Sequence, residues 1–267
     1  MGGIQGWKSQ EAGKVWALML DLLRQKQREG IMVSVDAHTC YNRMQHLVVL
    51  ICCQRLGVPL MAVICMLSTL QNMQYYLHMG HRESSTYYGG PWLIPFQGGY
   101  QGNEAAPGFL ITISIVLVRY LTGWGHAEAI NLAISTSVIT FSAILFMDNM
   151  DLPAISRQGE MSEVLLAQVQ WKVSDWQRGL QVTGGDLKAA KCNWCWICFH
   201  WQKGQWKYTS VSQLPGTLLL MGLEGKWEPQ QEEIPCLEPE QAIKALGFWV
   251  NARGDARKMV EELSCCA

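Results

Sequence analysis

Strands interleaved with helices predict an α+β or α/β fold for this 267-residue chain. Three observations carry that expectation. Apolar residues make up 49% of the chain and charged ones only 16%, so a packed core is possible and wholesale disorder is excluded. Segments of helical periodicity alternate with short β-prone runs. Gly and Pro turns fall at the junctions between them. The length suits one large domain or two small ones.

A helix is expected over residues 9–29, because Trp16, Leu20 and Leu23 share a face and Gly30 follows as a stop. The run Ile31-Met32-Val33-Ser34-Val35 is β-prone and ends at Asp36. Two helices are expected over residues 44–55 and 59–74, separated at Leu56-Gly57-Val58-Pro59 because Gly ends one helix and Pro opens the next. Gly89-Gly90-Pro91 and Gly98-Gly99-Tyr100-Gln101-Gly102 read as turns, and residues 105–121 as a helix entered through Pro107. A strand is expected over residues 140–147, broken by Asp148-Asn149-Met150-Asp151, where Asp151 reads as a turn cap. Met161, Leu165, Val169, Trp176 and Leu180 fit one helical face, followed by a Gly184-Gly185 turn. Residues 191–201 and 206–211 read as two strands joined through Lys203-Gly204, residues 216–240 as loop, and residues 241–251 as a last short element.

The formal net charge of −1 supplies no broad basic surface for nucleic acid. The first sixty residues lean basic through Lys8, Lys14, Arg24, Lys26, Arg28, Arg43 and Arg55, against Glu11, Asp21, Glu29 and Asp36; this reads as a solvated helix face. Ten scattered cysteines, with adjacent pairs Cys52-Cys53 and Cys265-Cys266, do not form a small disulfide framework. Met1 leads into Gly, Gln, Trp and Lys, not an apolar run, so reduced thiols in a cytoplasmic or nuclear protein are expected. Residues 129–147 carry no charge and are long enough to cross a bilayer, which keeps a small integral membrane protein as a rival. Asn131, Ser135, Thr136, Ser137, Thr140 and Ser142 punctuate them, and buried strands explain the composition better. The stretch 109–118 is too short and ends at Arg119.

Asp36 ends one apolar strand and Asp148 follows another. Carboxylates at strand ends can hold Mg²⁺, and two such ions clamp both oxygens of a phosphoryl transfer. Two strand-end aspartates alone are more often loop caps. Five runs in order change the weight. Val35-Asp36-Ala37-His38-Thr39-Cys40-Tyr41-Asn42-Arg43 resembles motif A of reverse transcriptases from non-LTR-type retrotransposons. Gln101-Gly102-Asn103-Glu104-Ala105-Ala106-Pro107-Gly108 resembles motif B, and Phe146-Met147-Asp148-Asn149 resembles motif C. Thr183-Gly184-Gly185 with Lys191 resembles motif D, and Leu246-Gly247-Phe248-Trp249 a segment just beyond the palm. The ordered set spans residues 31 to about 255.

The resemblance implies an α+β palm, an antiparallel sheet packed on helices with a C-terminal β-hairpin region. It divides the chain into an N-terminal helix remnant of the fingers (1–30), a palm-like core (31–191) and a hairpin and loop region (192–267). It implies an RNA-directed DNA polymerase, a nucleotidyltransferase using RNA template, DNA primer and deoxynucleotide triphosphates, with Mg²⁺ as cofactor. Asp36 and Asp148 would be catalytic metal ligands, joined at the metal by Asn149. Lys191 would act near the leaving pyrophosphate. Gln101, Gly102 and Asn103 would line the floor under template and nucleotide, with Tyr41 against the sugar. The departures predict impaired or absent activity. Asn149 stands where the family has a second aspartate and offers only a neutral carbonyl oxygen. Glu104 stands where related elements favour Gly. Only 35 residues precede Asp36, so most of the basic fingers are missing. A non-enzymatic remnant of the same ancestry is the first rival.

Cys192, Cys195, Cys198 and His200 have a spacing that hints at zinc or an iron–sulfur cluster. On a strand, however, Cys192 and Cys198 point one way and Cys195 the other, so one ion cannot gather them. Trp194, Trp196, Trp201 and Trp206 read as aromatic pairs across a hairpin before they read as a base-stacking platform. The histidines show no ligand spacing; His78 and His81 read as loop or helix-end residues.

Overall fold

The computed structural model describes residues 9–37, 40–80, 82–89, 97–98, 105–131, 138–146, 149–222, 230–245, 248–251, 253 and 257–265. The chain opens with helix α1 (Ser9–Lys26) and strand β1 (Gly30–Asp36). Three helices follow: α2 (Cys40–Arg43), α3 (His46–Arg55) and α4 (Leu60–Gln71). A hairpin of β2 (Gln74–Met79) and β3 (Arg82–Gly89) precedes helix α5 (Ala105–Gly123). Then come β4 (Glu128–Asn131), β5 (Val138–Phe141), β6 (Ile144–Phe146), β7 (Asn149–Ile155) and the long helix α6 (Ser162–Val182). The last third holds β8 (Asn193–Ile197), β9 (Phe199–Gln202), β10 (Gln205–Tyr208), β11 (Leu218–Gly222), β12 (Gln230–Ile234), β13 (Cys236–Leu237), β14 (Ile243–Ala245), β15 (Phe248–Val250) and α7 (Arg257–Cys265).

The architecture is α+β. A five-stranded sheet runs in the order β13-β8-β1-β7-β6. β1 pairs antiparallel with both β7 and β8, β6 with β7, and β13 adds in parallel outside β8. Taken with the two helices that cross behind the sheet, β1, α5, β6, β7, α6 and β8 form a β-α-β-β-α-β unit, the ferredoxin-like split arrangement. α5 and α6 have room to cross because each links strands that are not neighbours.

Strand alternation decides what each face buries. Ile31, Val33 and Val35 of β1, with Met150, Leu152 and Ala154 of β7 and Trp194 and Trp196 of β8, join one core cluster with residues of α3 to α6. Val33, Leu152, Leu165 and Val173 are fully buried, each contributing about 1.5–3 kcal/mol of hydrophobic stabilisation or somewhat less for the smaller chains. On the opposite face Met32, Ile144, Ile155, Cys195 and Ile197 pack under Trp16, Met19, Leu20 and Leu23 of α1. Gly30 makes that close approach feasible: a Cβ there would meet Leu23 Cδ1 at 2.6 Å.

β6 covers the outer edge of β7 only from Asn149 to Asp151. Beyond it, side chains replace a strand. The Lys172 ammonium, almost fully buried, donates to the Pro153 carbonyl at 2.5 Å, and the Glu128 carboxylate accepts from the Ile155 amide. A residue in an antiparallel strand turns N–H and C=O to the same side, so Pro153 directs its missing donor at this unladdered edge and not at β1. Burial pushes Glu128 up and brings Lys172 down to about 8, while each charge favours the other's ionised form.

Several expectations fail. The division at 191/192 falls within the main sheet, because β8 and β13 both belong to it. The region 216–240 holds β11, β12 and β13, where the composition predicts loop. Gln170 and Gln177 of α6 explain why: each amide both donates to and accepts from a β11 backbone, Gln170 at Leu219 and Gln177 at Met221. The strand expected over 140–147 is interrupted at Ser142-Ala143, and Ser142 is buried with its hydroxyl 2.7 Å from Thr122 Oγ1. Within 129–147 the described residues, apart from Ser142 and Ala143, lie in β4, β5 and β6 and form no membrane-length helix. Residues 106–123 of α5 have the length and apolarity to cross a bilayer, but Ala106, Phe109, Leu110, Ile113, Leu117 and Leu121 are buried in the core. Helix α7 lies where the sequence suggests no element.

Candidate functional site

The site grows from the end of β1. Asp36 is its last residue and stands opposite Asn149, the first residue of β7. Asn149 is itself paired with Phe146 of β6. Asp148, between Phe146 and Asn149 in sequence, lies outside the described residues, as do Gln101, Gly102, Asn103 and Glu104. β6 and β7 thus pair antiparallel on either side of Met147-Asp148, and the first residue of β7 stands opposite the end of β1.

Lys191 arrives from the other flank. An isolated bridge between Ala37 and Leu187 draws the segment after α6 alongside the end of β1. A short 3-10 turn, Ala189–Lys191, then brings Lys191 Nζ to 3.6 Å from Asp36 Oδ2. The Asp36 side chain is 29% exposed and that of Lys191 is 50% exposed, so this contact faces water and can be rearranged at little cost. Directly after it, burial raises the Cys192 thiol to about 11, with the Asp36 charge pushing the same way. Cys192 itself is buried in the helix-side core.

Two residues further along the same face sits Asp151, opposite Ser34. It is no turn cap: it is a β7 residue whose Oδ1 accepts from Ser34 Oγ at 2.5 Å. Burial lifts its carboxyl to about 6, partly offset by the Ser34 hydrogen bond. The pairing was visible in principle, since Asp36 and Ser34 share one face of a strand and Asn149 and Asp151 share another.

Nothing in the spacing of His46 singles it out, yet it holds Gly98, three residues before the run that resembles motif B. Gln97 bridges to Gln45, and the Gly98 amide donates to the Met44 carbonyl at 2.8 Å. His46 Nε2 lies 2.8 Å from the Gly98 carbonyl and Nδ1 lies 3.2 Å from Gln71 Nε2. Those partners assign the ring proton to Nε2, donating to Gly98, with Nδ1 accepting from Gln71. Gly98 has φ +101°, which a side chain would strain. The turn that closes α6 meets the same stretch: the Gln45 amide donates to the Thr183 carbonyl at 3.0 Å. Gly184 sits at φ +91°, where a Cβ would run into the Arg43 carbonyl. One four-residue segment, Arg43 to His46, thus holds both Gln97-Gly98 and the Thr183-Gly184 turn. Tyr41 is partly buried and packs against the helix-side core.

The cysteines divide as strand alternation predicts. Cys192 and Cys198 pack with the helix-side cluster, and Cys195 with the α1-side cluster. Burial holds Cys195 near 12 and Cys198 near 11, so these thiols stay protonated at neutral pH. Among the described residues no three His, Cys, Asp or Glu side chains gather into a metal-binding group. A hollow of about 690 Å³ lies at the opposite end of the sheet, lined in part by Lys26, Arg28, Ser156 and Arg157, and Arg28 donates there to the Ser156 carbonyl. It is separated from Asp36 by the length of β1, about 20 Å. No protein-family model matches the chain, and neither does any curated protein sequence.

Proposed function

We propose that the chain is a reverse transcriptase-like protein whose inherited reaction, RNA-templated DNA synthesis, is weak or lost. The observation that supports this most is the meeting of Asp36, Asn149 and Lys191 at one end of an antiparallel sheet backed by helices. These residues are far apart in sequence, and each belongs to a separate motif.

The described donors fit Mg²⁺ bound chiefly through substrate phosphates, since Asp36 offers one carboxylate and Asn149 at most an amide oxygen. When bound, that ion would neutralise charge on the triphosphate and polarise the reacting phosphate. Asp36 would hold it. The exposed Lys191 ammonium can leave Asp36 and lend its charge to the departing pyrophosphate. The backbone of Arg43 to His46 would keep the flanking loops in place, so that positioning carries the reaction. Asn149 in place of a carboxylate removes a negative charge from this cluster, and Glu104 adds one where phosphates would pass.

A second reading, a non-enzymatic remnant of the same ancestry, draws on the same contact: the Lys191 ammonium already stands beside the Asp36 carboxylate. Primer extension on an RNA template with Mg²⁺ separates the two. The wild-type chain is expected to extend little or nothing. Asn149→Asp combined with Glu104→Gly is expected to raise extension by roughly tenfold or more, since ~1.4 kcal/mol of barrier is a factor of ten. Adding Asp36→Ala should return it to background. A restored variant that stays at background and binds no deoxynucleotide triphosphate would sink the polymerase reading.

A further inference from the structure

The end of the sheet far from Asp36 carries a concave feature that the polymerase question does not use. The close of α1 and the start of β1 (22–29), β4 (129–131) and the turn from β7 into α6 (155–160) line the hollow of about 690 Å³. That volume falls in the range of small-molecule pockets, about 300–1,000 Å³. Its floor is apolar: Leu23 and Ile155 are buried, and Leu22 and Ile130 are partly so. Its rim is cationic, through Lys26, Arg28 and Arg157. The turns that carry these cations are held by their own hydrogen bonds. Gln27 closes α1 at φ +50°, and the Arg28 amide returns to the Leu23 carbonyl at 3.0 Å. In the β7–α6 turn, the Arg157 amide donates to Glu160 Oε2 at 2.7 Å and the Glu160 amide to the Arg157 carbonyl at 3.0 Å. Turns fixed in this way need little further ordering when a ligand binds.

The hydrogen bonds of the carboxylates supply the second observation. Glu29 Oε2 accepts from Ser162 Oγ at 2.8 Å and Oε1 from the Cys198 thiol at 3.5 Å. Glu160 Oε2 takes the Arg157 amide, and Oε1 accepts from Gln168 Nε2 at 2.6 Å. Glu128, which feels the Arg28 charge, accepts from the Ile155 amide and is pushed toward its neutral form by burial. Arg28 uses Nε and Nη2 on the Ser156 carbonyl, which fixes its guanidinium beside the hollow. Lys26 and Arg157 are exposed. Among the described residues, no ion pair joins these three cations to the carboxylates. The hollow thus has acceptors that are already committed and cations that are not.

We propose that this hollow is a binding site for a small organic phosphate. The phosphate oxygens meet Lys26, Arg28 and Arg157, in the charge-assisted hydrogen bonds that guanidinium and ammonium groups make with phosphate. The organic body lies on Leu22, Leu23, Ile130 and Ile155. A lining divided into a cationic rim and an apolar floor matches a ligand that has both parts. An inorganic anion would leave the floor in water, and an uncharged apolar molecule would leave the cations without a partner. The site is separated from Asp36 by the length of β1, about 20 Å, and needs neither Mg²⁺ nor nucleotidyl transfer. It therefore stands or falls apart from the polymerase reading.

The test is isothermal titration of the full chain with naphthyl phosphate in EDTA, which removes any binding through a divalent ion at Asp36. A Kd of about 1 mM or tighter is expected for a ligand of this size. Naphthol carries the body alone and inorganic phosphate the anion alone; each should bind at least roughly tenfold more weakly. Lys26→Glu and Arg157→Glu, both at exposed positions, should each weaken binding by roughly threefold to thirtyfold. Added NaCl should weaken the wild type as well. Arg178→Ala, at a side chain 73% exposed toward the other end of α6, serves as the control and should bind like wild type. Far-UV circular dichroism checks that each variant keeps the fold. Loss of affinity in both glutamate variants, with the control unchanged, supports the site. No binding by the wild type, equal binding of naphthol or inorganic phosphate, or equal loss in Arg178→Ala would overturn it.

Discussion

On its helix-covered face the sheet presents Ile31, Val33, Val35, Met150, Leu152, Ala154, Trp194 and Trp196, all apolar and all buried. The same three strands present Met32, Ser34 and Asp36, then Asn149 and Asp151, then Asn193 and Cys195, on the other face. There the residues change from apolar to polar along the strand direction. α1 covers the apolar end and leaves the polar end open. The difference teaches where function can reside. A face with no polar group can only hold the molecule together. A face that turns polar over the last three residues of β1 accepts a cost in burial that stability alone does not explain.

The largest effect should come from the closed face. Leu152→Ala empties a site that is fully buried between β1 and α6, and should cost about 2–5 kcal/mol in a urea titration. Asn149→Ala, three residues earlier on the open face, should change stability by only ~0.5 kcal/mol because its side chain is exposed. Similar destabilisation by both would mean that the two faces do not differ as described.

A pH titration sharpens the same contrast. Burial raises Asp151 from 3.8 to about 6, so the folded chain holds a proton that the unfolded chain has released. The stabilisation from that proton is complete below pH 3.8 and is lost as pH rises through about 6. Its size is about 3 kcal/mol at most, at 1.36 kcal/mol per unit. Asp151→Asn keeps an acceptor oxygen for the Ser34 hydroxyl and removes the titration. It should therefore flatten denaturation midpoints between pH 4 and 6, roughly, and stabilise the protein at pH 7. An unchanged pH profile would show that another group carries the dependence.

The smallest effect is expected at Lys191. Its contact with Asp36 is half exposed, so Lys191→Ala should alter stability by under ~1 kcal/mol. If the thermal midpoint instead falls by many degrees, Lys191 is part of the scaffold and not a displaceable charge.

Local pattern was sufficient for much of this architecture. The helical faces of α1 and α6 and the β1 run were legible because amphipathic periodicity reports burial directly. The break between α3 and α4 was legible because Gly57 and Pro59 carry their own backbone restrictions. The opposite faces of Cys192 and Cys195 followed from a period of two. β11 and β12 were not legible. Leu218–Gly222 lies in a Gly-, Pro- and Glu-rich stretch, and its strand state depends on Gln170 and Gln177 reaching across from α6. The division at residue 191 failed for a related reason: β8 is held by β1, some 160 residues earlier in the chain.

By itself, then, the sequence determined which segments would be amphipathic, where the backbone would turn at Gly57 and Pro59, and that Asp36 would end a strand. Those properties belong to a residue and its near neighbours. Tertiary structure alone decided that Asp36 would face Asn149 and lie beside Lys191, that Asp151 would accept a hydrogen bond from Ser34, and that His46 would brace Gly98. Each joins residues at least 52 positions apart. Such contacts depend on strand order and register, and these are set by the whole core closing at once.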